Sequence, residues 1–163
     1  MVTGTAVAEE VRRVAGAVTD PELPPLTLAD LGIVREVSVG DDGRVVVNLT
    51  PTYTGCPATE LIAGDVRDAL ARAGWREVEI RTQLAPAWST DDITEEGRRK
   101  LRELGVSPPP RCGPSAQPVE IAVRCVRCGS RETELVSRFS STPCKALYRC
   151  RACSEPFEHF KAL

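Results

Sequence analysis

Histidine is almost missing from this chain: His159 is the single one among 163 residues. Aromatic residues make up only 4%, no run of 18 apolar residues occurs, and neither sign of charge dominates, the formal net charge being −2. Each shortage removes a class of function. Without a histidine before position 159, a Cys–His hydrolase in the first two thirds of the chain is not expected. Few aromatics mean a core built mostly from Val, Leu, Ile and Ala. A general binder of nucleic acid or anionic membrane needs a basic excess that is lacking here. A transmembrane helix needs a longer apolar stretch. The first ten residues lack the basic start and apolar run of a signal peptide, so a cytoplasmic location is expected. There is no P-loop-type glycine motif, and no pair of carboxylates is placed for glycosidase chemistry.

Cysteine, by contrast, is plentiful. Four of the seven form two pairs, Cys125-Val-Arg-Cys128 and Cys150-Arg-Ala-Cys153, separated by 21 residues. Two tight turns that each present two thiolates close a tetrahedron around one metal ion, the layout of a zinc ribbon. One structural Zn2+ per chain is expected, ahead of iron. A closed four-thiolate shell leaves no position for substrate, so the metal reads as structural. The spacer is slightly long for a ribbon, and an extra hairpin with strands at 134–139 and 146–149 would absorb it.

Residues 107–118 contain five prolines, which deny helix and central strand alike. The expected division is an α+β domain at 1–107, a proline-rich linker at 108–118 and a small all-β ribbon at 119–163. The first domain should hold a small mixed sheet with packed helices. A helix is expected over 6–18 and a hairpin over 33–49 that turns at Gly40-Asp41-Asp42-Gly43. A second helix follows over 57–73, with Leu61, Ile62, Val66 and Leu70 on its apolar face. Then come a strand at 78–84 and a helix at 93–104. A strand–helix–strand unit of this length crosses over right-handed, so the 78–84 strand should run parallel to its predecessor.

The loop Pro51-Thr52-Tyr53-Thr54-Gly55-Cys56-Pro57 lies between a strand and a helix. Pro57 suits a first helical position, which would put Cys56 at or beside the N-cap, where free N–H groups and the helix dipole lower a thiol pKa and favour a metal. Asp20, Glu22 and Asp30 sit in loops that can converge on the same end of the sheet. The plain alternatives are a buried small residue at Cys56 and turn-forming aspartates.

Asp20-Pro21-Glu22-Leu23-Pro24, Asp30-Leu31-Gly32-Ile33-Val34 and Thr50–Pro57 resemble the iron–sulfur assembly domain of SufT-like proteins. Leu84-Ala85-Pro86-Ala87-Trp88-Ser89-Thr90-Asp91, Ser141–Cys150 and Glu155-Pro156-Phe157 extend the resemblance over essentially the whole chain to the PaaD (PaaJ) family. That family is the D component encoded with the multicomponent phenylacetyl-CoA epoxidase of phenylacetate catabolism. The resemblance implies an accessory or maturation role, assisting iron–sulfur cluster or metal assembly in the di-iron oxygenase or its iron–sulfur reductase. Cys56 would then be the transfer thiolate for transient iron or a cluster, with Thr54, Asp20 and Asp30 shaping its pocket. Catalysis by the chain itself is not implied: a ferritin-like di-iron centre needs Glu-x-x-His motifs that one histidine cannot supply.

Two other readings stand beside it, a non-catalytic structural subunit of the oxygenase complex and a nucleic-acid-binding ribbon. Arg124, Arg127, Arg131, Arg138, Lys145, Arg149 and Arg151 surround the ribbon, but Glu132, Glu134, Glu155 and Glu158 interleave, so a solvated or protein-docking surface is favoured. Cys144 is ambiguous between a spare ligand, a transfer thiol and a packed residue. Cys112 in the linker is assigned no function, and His159 is expected to pack or face solvent rather than bind metal. A homodimer is left open.

Overall fold

The computed structural model describes residues 4–53, 55–111 and 122–162. The chain divides into two compact units, Met1–Trp88 and Ser89–Leu163. Among the described residues no helix is long and apolar enough to cross a membrane.

The first unit is α+β. Helix α1 (Gly4–Gly16) leads to a short α2 (Leu28–Leu31), then strands β1 (Val34–Val39) and β2 (Val45–Leu49), helix α3 (Thr59–Arg72) and strand β3 (Val78–Thr82). The sheet order is β1-β2-β3. β1 and β2 form the expected hairpin, and β3 pairs parallel to β2 from Val45↔Val78 to Leu49↔Thr82. Along β2, Val45, Val47 and Leu49 are buried in alternation, the period-2 pattern of a sheet with one covered face. α1 packs on β1 and α3, and α3 packs on β3. α3 contributes Ile62, Val66 and Leu70 to the core. Leu61, expected on that face, is 55% exposed, because it lies about 100° around the helix from Ile62. α1 and α2 approach closely: a Cβ at Gly16 would sit 3.1 Å from the Ala29 Cβ.

Trp88 ends this unit. It is 5% exposed, and its indole Nε1–H donates to the Leu31 carbonyl at 2.7 Å. Trp88→Phe removes that donor and part of the ring, and should cost about 1–2 kcal/mol in chemical denaturation.

The second unit differs from the expected division. Helix α4 (Glu95–Glu103) and strand β4 (Val106–Ser107) belong to it, followed by β5 (Thr133–Ser137), β6 (Lys145–Cys150) and β7 (Pro156–Phe160). The sheet order is β4-β7-β6-β5. The boundary placed at 107 therefore moves to 88/89, for three reasons. β4 pairs parallel to β7 through Val106↔Glu158 and Ser107↔His159. The His159 ring Nδ1 lies 3.1 Å from the Ser107 carbonyl, so that nitrogen carries the proton. Buried Arg98 on α4 donates to the Thr90 and Pro109 carbonyls, tying the helix to the chain on either side of it. His159 is 2% exposed and meets the Tyr148 ring edge-on at 5.6 Å between centroids. It is a packing residue, the first of its two expected roles. β5 and β6 are the extra hairpin that the long spacer called for.

Candidate functional site

Cysteines build two separate sites, one in each unit. The first is the four-cysteine cluster of the second unit. Cys125 and Cys128 lie on one turn, and Cys150 and Cys153 on a turn at the end of β6. Their sulfurs all lie within 4.8 Å of one another. Cys125 Sγ is 3.7 Å from Cys153 Sγ, and Cys128 Sγ is 3.6 Å from Cys150 Sγ. A tetrahedron with Zn–S bonds of about 2.3 Å has edges of roughly 3.8 Å, so the four sulfurs already stand at metal-binding separation.

The two turns are built alike. The Gly129 N–H donates to the Cys125 carbonyl and the Cys125 N–H to the Ser130 carbonyl, both at 2.9 Å; the Cys150 N–H donates to the Glu155 carbonyl at 2.9 Å. The residue after each second cysteine has a positive φ, 74° at Gly129 and 63° at Ser154. Glycine takes that conformation freely, whereas serine bears about 1–2 kcal/mol for it. Cys125 and Cys150 pack with Ala146, Tyr148 and Phe157 in a small core, while Cys128 and Cys153 are exposed.

Electrostatics also call for a cation. The backbone N–H groups of Cys153 and Ala152 hold the Cys150 thiol down at about 7 against the effect of burial. The Glu155 N–H draws Cys153 down, but burial and the other three thiols push it up to about 12. One thiolate forms easily and the last with difficulty, because four negative sulfurs at this spacing repel each other. A divalent cation removes that conflict. Cys125, Cys128, Cys150 and Cys153 thus fit a closed structural zinc site.

Among the described residues three of the seven surrounding cations form ion pairs. Lys145 is buried against Glu158 at 2.8 Å, Arg151 pairs with Glu134 at 2.8 Å, and Arg127 with Glu155 at 3.5 Å. The expected ring of basic residues is therefore not a continuous free stripe. Cys144 is buried, with its sulfur 3.0 Å from the Thr142 hydroxyl, and it is not part of the four-sulfur cluster. Its packed reading is the one the geometry favours. Cys112 lies outside the described residues.

The second site surrounds Cys56 in the first unit. It follows the end of β2, and so lies at the end of the sheet to which both β2 and parallel β3 run. The expected N-cap geometry is corrected here. α3 begins at Thr59 with Ala58 as the N-cap, so Pro57 is not its first residue and Cys56 lies two residues before the cap. The Thr59 N–H and hydroxyl donate to the Cys56 carbonyl at 3.2 and 2.8 Å.

The thiol itself is raised, not lowered. Burial is the largest cause, the Ala58 N–H and Thr59 hydroxyl pull the other way, and the charges of Glu22 and Asp20 add to the rise. The helix start is outweighed by burial first, with the charges of Glu22 and Asp20 adding to it. Asp20 is 7% exposed, and its Oδ1 accepts from the Glu22 and Leu23 N–H groups at 2.8 and 3.0 Å. Asp30 completes a capping box with Thr27 at the start of α2, which gives it a chain-shaping role of its own. Thr54 lies outside the described residues. Glu22, read in the sequence as a loop acid able to converge on this end of the sheet, acts on Cys56 through its charge; Thr50, whose buried hydroxyl has no hydrogen-bond partner among the described residues, was not a sequence candidate.

Comparison with known proteins matches these two sites to two family models. Residues 8–81 match an iron–sulfur cluster assembly protein domain, and residues 109–161 match the PaaD zinc beta ribbon domain. A protein of Escherichia coli (strain K12), provisionally named as the D component of 1,2-phenylacetyl-CoA epoxidase, is 47% identical over 156 residues, covering 94% of this chain and 92% of that protein. The Fe-S protein maturation auxiliary factor SufT of Staphylococcus aureus (strain USA300) is 35% identical over 91 residues, 55% of this chain and 99% of its own. Among solved structures, a DUF59 domain from Bacillus anthracis superposes with a TM-score of 0.57 at 27% identity, covering 61% of this chain and 94% of that one. An assembly-type domain joined to a four-thiolate ribbon, with near full-length similarity to the Escherichia coli protein, defines one lineage: the chain belongs to the PaaD family.

Proposed function

We propose that this chain is an accessory maturation factor of a phenylacetyl-CoA epoxidase, assisting the assembly of iron or an iron–sulfur cluster in an epoxidase component. The observation that carries this reading is the electrostatic setting of Cys56. Burial first, and then the charges of Glu22 and Asp20, hold the proton on its sulfur. The same negative charges attract a metal cation, which lowers the effective thiol pKa on approach and displaces the proton. A thiol that stays protonated when empty and ionises on contact with metal suits a transient carrier better than a permanent ligand set. Iron or a cluster is here the cargo, and the zinc of the ribbon is the fixed metal. The PaaD relative supplies the epoxidase context, and the SufT relative supplies the maturation role.

The test is Cys56→Ala, co-expressed with the oxygenase and reductase components. Iron content of the purified partners should fall severalfold while the zinc of this chain stays at one per molecule. Fully loaded, active partners would sink the transfer role. They would favour the second reading, a component that holds the complex together, which the raised thiol pKa also supports. In that case disruption of the ribbon abolishes co-purification and Cys56→Ala is silent.

A further inference from the structure

Strand β3 is an edge of the first unit's sheet, and its outer side is where charge and backbone are left unmatched together. The Val45 N–H donates to the Glu77 carbonyl, and the Gln83 N–H to the Leu49 carbonyl, both at 2.8 Å. These bonds fix the phase of the parallel ladder: the main-chain groups of Glu79 and Arg81 face β2. The N–H and C=O groups of Val78, Ile80 and Thr82 therefore point away from the sheet. Such a row is a template for another strand unless something covers it.

A groove of about 550 Å³ borders the first part of β3, lined by Arg44, Arg67, Arg76 and the consecutive residues Glu77–Ile80. Several arginines elsewhere are matched by acids. Arg13 pairs with Glu10, Arg99 with Glu96 and Glu103, and Arg151 with Glu134. Arg67 and Arg76 are exposed, and among the described residues their guanidinium groups have no ion pair or hydrogen bond, while exposed Arg44 acts on Glu79 through its charge. Of the two acids in the groove, Glu79 is held by Arg81 at 2.8 Å. The groove thus keeps a positive excess beside half-buried Val78 and Ile80.

We propose that this edge docks an extended acidic segment of a partner protein by strand addition. The segment's backbone pairs with Val78, Ile80 and Thr82 over about 17 Å. Its apolar side chains rest on Val78 and Ile80, and its carboxylates reach Arg67 and Arg76. Charge sets the direction of approach and the partner class, and the backbone ladder sets the register. The site is independent of the Cys56 chemistry, since it needs no metal.

The experiment uses the full chain and a fluorescein-labelled decapeptide of alternating glutamate and valine. Anisotropy should show saturable binding at low salt, weakened about tenfold by Arg67→Glu combined with Arg76→Glu. Amide hydrogen exchange at Ile80 and Thr82 should slow in the wild-type complex. A lysine–valine peptide that binds equally well overturns the proposal. So does a charge-reversed variant that binds like wild type, or unchanged exchange at those two amides. An RNA oligonucleotide that competes for the groove and binds more tightly than the peptide overturns it in favour of nucleic acid.

Discussion

Removing zinc with a strong chelator should unfold the second unit and leave the first one folded. The core around the cluster is small, five buried residues of which two are themselves the ligands Cys125 and Cys150. Ile93, Leu101, Val106 and Phe160 are buried elsewhere in the unit, but the two turns that carry the ligands have only this small cluster behind them, so there the free energy of ligating the ion becomes folding free energy, of order 10 kcal/mol for structural zinc at neutral pH. Both tryptophans, Trp75 and Trp88, lie in the first unit, so their fluorescence reports it alone. The expected outcome is loss of one zinc per chain and of the Tyr148 and Phe157 ring signals by NMR, with tryptophan emission unchanged. Cys150→Ser should do the same without a chelator, because Cys150 is fully buried at the centre of the core. Retention of the ring signals in metal-free protein would contradict a metal-held fold.

Glu158→Gln should destabilise the second unit by about 3 kcal/mol. The carboxylate binds the Lys145 ammonium through Oε2, while Oε1 accepts from the Ser140 and Ser141 hydroxyls and the Ser141 N–H. The Lys145 side chain is only 5% exposed. Neutralising its partner leaves a buried ammonium with a weaker acceptor, the costly kind of change. The pH dependence has a definite sign. Partial burial pushes the Glu158 carboxyl up, but Lys145 and the two serines outweigh it and hold it at about 2, below its ordinary 4.5. A depressed carboxyl stabilises the fold above the unfolded value and loses that contribution as pH falls through the folded one. The difference between wild type and Glu158→Gln should therefore be full above about pH 5 and shrink from about 4.5 toward 2. Denaturant melts at several pH values measure it; a constant difference would show that the ion pair is not its source.

Much of the fold was legible in the residues. The β1–β2 hairpin announced itself by alternating valines around a Gly-Asp-Asp-Gly turn, and the parallel placement of β3 followed from crossover handedness. The CxxC spacing marked the four cysteines whose sulfurs the fold brings within 4.8 Å of one another. Other elements carry no local signal. β4 is two residues long before a proline run, and it is a strand only because β7 lies beside it some fifty residues later. α2 is a single turn, marked in the sequence only by its Thr27–Asp30 capping box. At Cys56 the local rule was sound but lost to the surroundings. A helix start lowers a thiol pKa when little else is near, and here burial and the charges of Glu22 and Asp20 decide. Residues far apart in the chain create that setting, so no motif reveals it.

The pairing of β4 with β7 changes what the proline-rich segment is. Ser107 is laddered to His159, and the Val123 carbonyl accepts from the Thr133 hydroxyl, so the chain leaves and re-enters the same folded unit. The described residues that flank the segment, Ser107 and Val123, both lie in that unit, so the segment's length is a thermodynamic variable of the ribbon. Doubling it would cost about 0.6 kcal/mol of closure entropy. Its prolines act in the opposite direction, by narrowing the conformations available to the unfolded chain.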